Sequence, residues 1–219
     1  MDSSRDFSFE FERKFLVKEL PEGVVEHGAP QVIIQAYVFA EAGYAIRVRL
    51  QFRGAKLPTE TAPFDPALDE LGAYERSLLA ALIAEHHDTA VATIAVKSPS
   101  VNGERYEMET ELDTDVAVQI IQRSPRVIAK TRQSLWFNED GWEFDVFVGQ
   151  NLGLIVAEIE RLTPVVDLVI PSFCLTEVTA DPRFTNDSLS KEPWQHWDAL
   201  YMNELAQRGP FFLDLRSAD

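Results

Sequence analysis

Seven basic and eight acidic side chains fall in short alternating runs along this chain, sorted by sign. The basic set is Lys14, Arg47, Arg49, Lys97, Arg105, Lys130 and Arg132; the acidic set is Glu10, Glu12, Glu107, Glu109, Glu143, Asp145, Glu158 and Glu160. Arginine forks match phosphate oxygens in bidentate geometry, so the basic set suits a highly charged phosphate chain. Carboxylate pairs brought from different segments suit Mg2+ or Mn2+, which take oxygen ligands. A face carrying both has the parts for metal-assisted phosphoryl transfer: cations to hold charge, metal to polarise phosphorus, and a water held in line. Water is the natural nucleophile, since no Ser-His-Asp or Cys-His grouping is evident. No Walker loop or G-x-G-x-x-G run occurs either. His27, His86, His87 and His196 fall in a loop or in helices and read as ordinary surface or partly buried residues.

The spacing identifies the elements that must carry these groups. From Ser8 to Val17, Phe9, Phe11, Phe15 and Val17 take one parity, and Glu10, Glu12 and Lys14 take the other. A strand alternates its side chains between faces, so this segment has one apolar face and one ionised face. Glu143 and Asp145 alternate in the same way with Trp142, Phe144 and Val146, as Glu158 and Glu160 do with Ala157 and Ile159. The apolar faces need cover and the ionised faces need enclosure. An α+β fold meets both needs, with an antiparallel sheet closed into a β-barrel, charged inside and covered outside by helices. Helices are expected over 66–85, over 114–121, and over about 193–208, where Trp194, Trp197, Leu200, Tyr201 and Leu205 form an apolar stripe. Hairpin turns are expected at 41–43 and at Asn102-Gly103. A short further strand is expected over 165–170, and a polar loop over 181–190.

A chain of 219 residues suits one domain, 1–219, and can bury a substantial core without disulfides. The lone cysteine, Cys174, reads as a small buried apolar residue and fits a reducing cytoplasm. No apolar run follows the first residues as a signal peptide would, and no stretch reaches membrane-spanning length. The net charge of −16 argues against nucleic acid and against an anionic membrane as partners. A small polyanion remains compatible if the basic groups enclose it.

At these residues the chain resembles the CYTH family, the triphosphate tunnel metalloenzymes. Glu10-Phe11-Glu12-Arg13-Lys14 is similar to the family's E-x-E-x-K signature. The likeness continues through Arg47-Val48-Arg49, Lys97, Arg105-Tyr106-Glu107-Met108-Glu109, Lys130-Thr131-Arg132, the segment 142–147 and the segment 154–160. Val178-Thr179-Ala180-Asp181-Pro182-Arg183-Phe184 resembles the V-T-G-D-P-R-Y segment of short bacterial members, with Ala180 in place of the usual glycine. The segment 51–90 is longer than the hairpin of compact members.

The resemblance implies an eight-stranded tunnel, a Mg2+ or Mn2+ requirement and cleavage of a triphosphate, here inorganic triphosphate to diphosphate and phosphate. It implies metal binding by Glu10, Glu12, Asp145, Glu158 and Glu160, with Glu107 beside them. Phosphate binding falls to Lys14, Arg47, Arg49, Lys97, Arg105, Lys130 and Arg132. Lys14, Lys97 and Tyr37 are the candidates nearest the reacting group; Lys191 is a candidate at one tunnel mouth. Hydrolysis of thiamine triphosphate or a nucleoside triphosphate, adenylate cyclisation, and triphosphate or polyphosphate binding without turnover are the alternatives on this scaffold. Phe147 and Trp136 are the only large rings expected on inner faces, which favours tripolyphosphate over ATP or thiamine triphosphate.

Overall fold

The computed structural model describes residues 8–24, 29–57, 65, 70–99 and 104–214, the side chains of 8–10, 104 and 105 excepted. His27, the Asn102-Gly103 turn and residues 66–69 lie outside the described residues. The strands are β1 (Ser8–Val17), β2 (Gln31–Glu41), β3 (Tyr44–Arg53), β4 (Val91–Lys97), β5 (Glu104–Glu111), β6 (Val127–Phe137), β7 (Asp140–Phe147), β8 (Ile155–Arg161) and β9 (Cys174–Glu177). The helices are α1 (Ala73–His86), α2 (Thr114–Arg123), α3 (Asn186–Leu189) and α4 (Asp198–Arg208). No helix among the described residues is long and apolar enough to cross a membrane.

All strands belong to one antiparallel sheet in the order β5-β4-β3-β2-β6-β7-β8-β1-β9. The expected eight-stranded closed barrel is therefore corrected to a nine-stranded antiparallel sheet. The reason lies in β1, which pairs along one edge with β8 from Phe11 to Val17. Its other edge is divided: Ser8 to Phe11 pair with β5, and Phe15 to Val17 pair with β9. The expected strand over 165–170 is a loop instead, bracketed by Pro164 and Pro171, and the ninth strand falls after it. Over 181–190 the expected polar loop is a 3-10 turn, Pro182–Phe184, followed by α3. Asp181 and Thr185 cap these turns by accepting from Arg183 N and Ser188 N. Helix α1 is described from Ala73 rather than from residue 66, with Gly72 in the left-handed region at φ 77° before it.

Three apolar clusters hold the sheet in place. On the outer face, Val32, Ile34, Val48, Leu50 and Phe52 pack against Leu78, Leu79 and Leu82 of α1 and Ala117 and Ile121 of α2. Each fully buried leucine there contributes about 2 kcal/mol of transfer free energy. Elsewhere on that face, Phe15, Trp142, Phe144 and Ile159 are covered by the 163–174 loop through Val165, Leu168 and Phe173. Cys174 joins this second cluster, and burial pushes its thiol up to about 12, as an inert packing residue requires. The third cluster sits on the inner face. Leu16, Ile128, Phe147 and Val156 continue the parity of the charged residues, and Leu189, Trp194, Tyr201 and Leu205 pack against them. The inner face is thus ionised along part of its length and apolar toward one end.

Glu75 joins α1 to the turn at Gly149–Asn151. Its Oε1 accepts from Gln150 N at 3.1 Å, and its Oε2 is buried without a partner. Burial pushes this carboxyl up from its usual 4.5 to about 7. A raised acid contributes stability that is fully present below its unfolded pKa and is lost as pH rises through the folded one. Urea titrations of wild type and Glu75→Gln should therefore diverge between pH 5 and pH 8. Wild type should lose about 3 kcal/mol relative to the variant over that window.

Candidate active site

Strand register decides which ionised groups share a face. Tyr37 lies opposite Arg47, and Gln35 opposite Arg49, across β2 and β3. Lys97 faces Glu107 across β4 and β5, and Arg132 faces Asp145 across β6 and β7. Glu143 meets Glu158, which also meets Lys14, while Glu12 lies directly opposite Glu160. Residues opposite one another project to the same side of a sheet. These faces surround a cavity of about 750 Å³. Lys14, Arg47, Arg49, Lys97 and Arg132 supply its cations, and Glu12, Glu107, Glu109, Glu158 and Glu160 its acids. Glu10 and Arg105 lie opposite each other on β1 and β5; their side chains are outside the described residues.

The charges interlock. Lys14 Nζ lies 2.8 Å from Glu158 Oε1 and 3.0 Å from Glu12 Oε1. Arg132 donates to Glu158 Oε2 at 2.7 Å, to Asp145 Oδ1 at 2.7 Å, and to Glu143. Lys97 holds Glu107 at 2.5 Å, and Arg47 spans Glu107 at 3.3 Å and Glu109 at 2.5 Å. Burial alone would raise Glu158, but Lys14, Arg132 and Lys130 hold its carboxyl well below the usual range. For Asp145, burial is likewise outweighed by Arg132 and Lys130. Both carboxyls are ionised at neutral pH.

Lys130 and Asp145 stand apart from the expected ligand set. They do not line the cavity; both are fully buried and paired with each other behind Arg132. Burial pulls Lys130 down to about 8 against the attraction of Asp145. Asp145 grips the Arg132 fork through both its oxygens.

Arg49 is the opposite case. It lines the cavity, yet it makes no hydrogen bond or ion pair among the described residues, and its Nε is buried without a partner. Burial, with Arg47 and Arg132 nearby, pulls it down to about 10. Among the described residues no carboxylate forms an ion pair with this guanidinium; Glu109 acts on it only from a distance.

The aromatic expectation is corrected. Trp136 is 70% exposed, and Phe147 belongs to the inner apolar cluster. The rings that line the cavity are Tyr37, Tyr44 and Tyr106. Strand parity places Tyr37 there, since it shares the face of Arg47, but not Tyr106, which alternates with Arg105 and Glu107. Tyr37 is almost fully buried; its hydroxyl accepts from Gln35 Nε2 at 3.1 Å, and burial raises its pKa. Sequence reasoning also passed over Thr179 and Asp187, which line the same cavity beside Lys191. Lys191 is held by Asp187 at 2.7 Å, a pair that only the fold of 182–189 brings to the wall.

No family model matches the chain. Solved structures similar to it include that of the inorganic triphosphatase NE1496, with TM-score 0.47 and 23% identity over 83% of this chain and 93% of that one. A conserved hypothetical protein from Pyrococcus furiosus has TM-score 0.41 and 16% identity over 88% of this chain and 90% of that one. A sequence relative decides the family: an inorganic triphosphatase of Acetivibrio thermocellus is 35% identical over 106 residues, 48% of this chain and 68% of the relative. The chain belongs to the CYTH family of triphosphate tunnel metalloenzymes.

The cavity can be tested against the divalent metal that a tunnel metalloenzyme implies. Among the described residues, no three acidic, histidine or cysteine side chains already form a metal-holding group. The donor chemistry nonetheless fits. Glu12 and Glu160 sit directly opposite on the cavity wall, a like-charge pairing that destabilises a sheet unless positive charge lies near. With Glu158 they offer oxygen donors alone, the preference of Mg2+ and Mn2+.

The Lys130–Asp145 pair carries a stability prediction. Lys130→Met would leave a fully buried carboxylate with Arg132 alone and should cost about 3 kcal/mol in urea unfolding. The partly exposed Arg161, paired with Asp140 and Asp167, should cost under about 1 kcal/mol when changed to Met.

Proposed function

We propose that this CYTH protein hydrolyses inorganic triphosphate to diphosphate and phosphate, with a divalent metal, inside the cavity. Arg49 carries the reading. A buried guanidinium without an anion is costly, and its neighbours Arg47 and Arg132 add repulsion. A triphosphate chain supplies the missing negative charge and enough oxygens to engage several forks at once. The relative from Acetivibrio thermocellus, named an inorganic triphosphatase, supports the same substrate class.

In this reading Arg47, Arg49, Arg132 and Lys97 hold the phosphate chain, with Arg105 at the β1–β5 junction. Lys14 and Tyr37 stand nearest the reacting phosphoryl group. Lys130 and Asp145 keep the Arg132 fork in place. Glu12, Glu158 and Glu160 would hold the metal, joined by Glu10 and Glu107. The bound metal, Mg2+ or Mn2+, would withdraw charge from the phosphoryl oxygens. The chain itself supplies fixed positive charge in a partly desolvated space, where it acts more strongly than in water. The four-pair contact of β1 with β5 completes the wall of this tunnel, and 1–219 acts as one domain in the cytoplasm.

Tyr44 and Tyr106 favour a second reading, hydrolysis of an organic triphosphate whose base or ring could meet them at the wall. A phosphate-release assay with tripolyphosphate, thiamine triphosphate and ATP separates the two. Tripolyphosphate should show the highest specificity constant, and excess EDTA should abolish the activity. A higher constant for either organic substrate would move the assignment to the second reading.

Arg49→Ala should raise KM for tripolyphosphate at least about tenfold, since it removes a charge-assisted fork. Its melting temperature should stay level or rise, because the lost cation has no partner on the protein. Unchanged KM would remove the main support for a polyanionic substrate.

A further inference from the structure

Arg13 sits on the wrong face of β1 for chemistry. Glu12 and Lys14 on either side of it line the cavity, so alternation sends Arg13 into the outer apolar layer, where it is 5% exposed. There it lies over the ring of Phe15 and grips Glu177, with Nε 2.9 Å from Oε1 and Nη2 2.6 Å from Oε2. Its remaining donors reach Val165 O at 3.3 Å and Leu213 O at 3.1 Å. A buried ion pair adds little net stability over an apolar pair of similar volume, so stability alone is a weak reason for it.

The geometry of Glu177 gives a better reason. Its Oε1 also accepts from the Thr179 hydroxyl at 2.7 Å. That hydroxyl oxygen in turn accepts from the backbone N–H of Lys14 at 3.0 Å, while Val178 N donates to Lys14 O at 2.8 Å. This happens at the break in the β1 edge, between Phe11, the last partner of β5, and Phe15, the first partner of β9. Residues 12–14 have no strand on that side, and they include two of the cavity's ionised groups. The other oxygen of Glu177 accepts from Leu213 N at 2.8 Å. Beside it, Phe211 O accepts from Glu177 N at 2.7 Å, and Thr176 Oγ1 accepts from Phe211 N at 3.0 Å. Segment 211–213 thereby lies along β9 and clamps the same carboxylate.

We infer that Arg13 is a positioning residue for the reaction: through Glu177 and Thr179 it fixes the backbone of Lys14, and segment 211–213 clamps the relay. The kinetic part rests on the triphosphatase reading. Arg13 touches no substrate from its outer face; it acts by holding the one span of β1 that lacks a neighbouring strand. Small displacements of a charged group near a reacting centre cost rate out of proportion to their size.

The test uses Arg13→Met, Thr179→Val and the double variant in the full chain, with Arg13→Lys as the conservative control. Each single variant should lower kcat for tripolyphosphate about tenfold with KM within about twofold. The double variant should be no slower than the worse single, and Arg13→Lys should recover part of the rate. Additive losses, or lower melting temperature with unchanged kcat, would overturn the relay. Thr179→Val leaves no buried charge unpaired, so it keeps the test open if Arg13→Met fails to fold. Amide hydrogen exchange at Lys14 provides a readout free of activity: lost protection in Thr179→Val supports the relay, and retained protection overturns it. A wild type that releases no phosphate but shows the exchange change would sink the triphosphatase reading and keep the structural relay.

Discussion

An ionised side chain taken out of water must meet an opposite charge or a dense set of hydrogen bonds, and this constraint organises the whole sheet. The inner face answers it strand by strand. Lys14 is met by Glu158 and Glu12, Lys97 by Glu107, and Arg132 by Asp145, Glu143 and Glu158. All of these pairs except Lys14–Glu12, which lies within β1, join two strands, so the electrostatic network and the strand register specify one another. A one-residue slip in any strand would send its charges into the outer apolar clusters.

The outer face supplies what the inner face cannot. Fixed cations close together repel, and only a rigid scaffold keeps them so. Helices α1 and α2 pack on β2, β3 and β4, the strands that bear Arg47, Arg49 and Lys97. On the other side, the 163–174 loop seals β1, β7 and β8, which bear the carboxylates. At one end the inner face turns apolar and takes up Leu189, Trp194, Tyr201 and Leu205. The carboxy-terminal helices therefore pack on the inner face of the sheet.

Against this background the exceptions carry the function. Asp145 is met by both Lys130 and Arg132 and holds the arginine fork through its two oxygens. The Arg49 side chain makes no hydrogen bond or ion pair among the described residues, and the proposed polyanion would supply the missing charge. Arg13 lies on the apolar face with a complete set of partners, and its partners lead back to Lys14. The same residue type thus has three fates within one sheet, set by burial and by what stands opposite.

The sequence by itself determined the longer strands, β1 to β8, and the sorting of their charges, but not the short β9. Period-two alternation is a local property, so Glu12 and Lys14, Arg47 and Arg49, or Glu158 and Glu160 could each be placed on one face without knowing any neighbour. The helices expected over 114–121 and about 193–208 were legible locally too; they run over Thr114–Arg123 and Asp198–Arg208, the latter after a 3-10 turn at Trp194–His196. What alternation could not report was pairing. That β1 divides its edge between β5 and β9, that Lys130 and Asp145 sink behind Arg132 while Arg49 stays open, and that Tyr44 and Tyr106 reach the cavity depend on residues far apart in the chain. Nothing local distinguished the buried, paired Lys130 from the cavity-lining Lys97, since each is a lysine on a strand's ionised face. The Arg13–Glu177 pair was invisible for a sharper reason: its partners are separated by 164 positions, and the arginine breaks the apolar parity of its own face. Only tertiary structure decided these points, because the energy of a buried charge is set by the atoms that surround it in space.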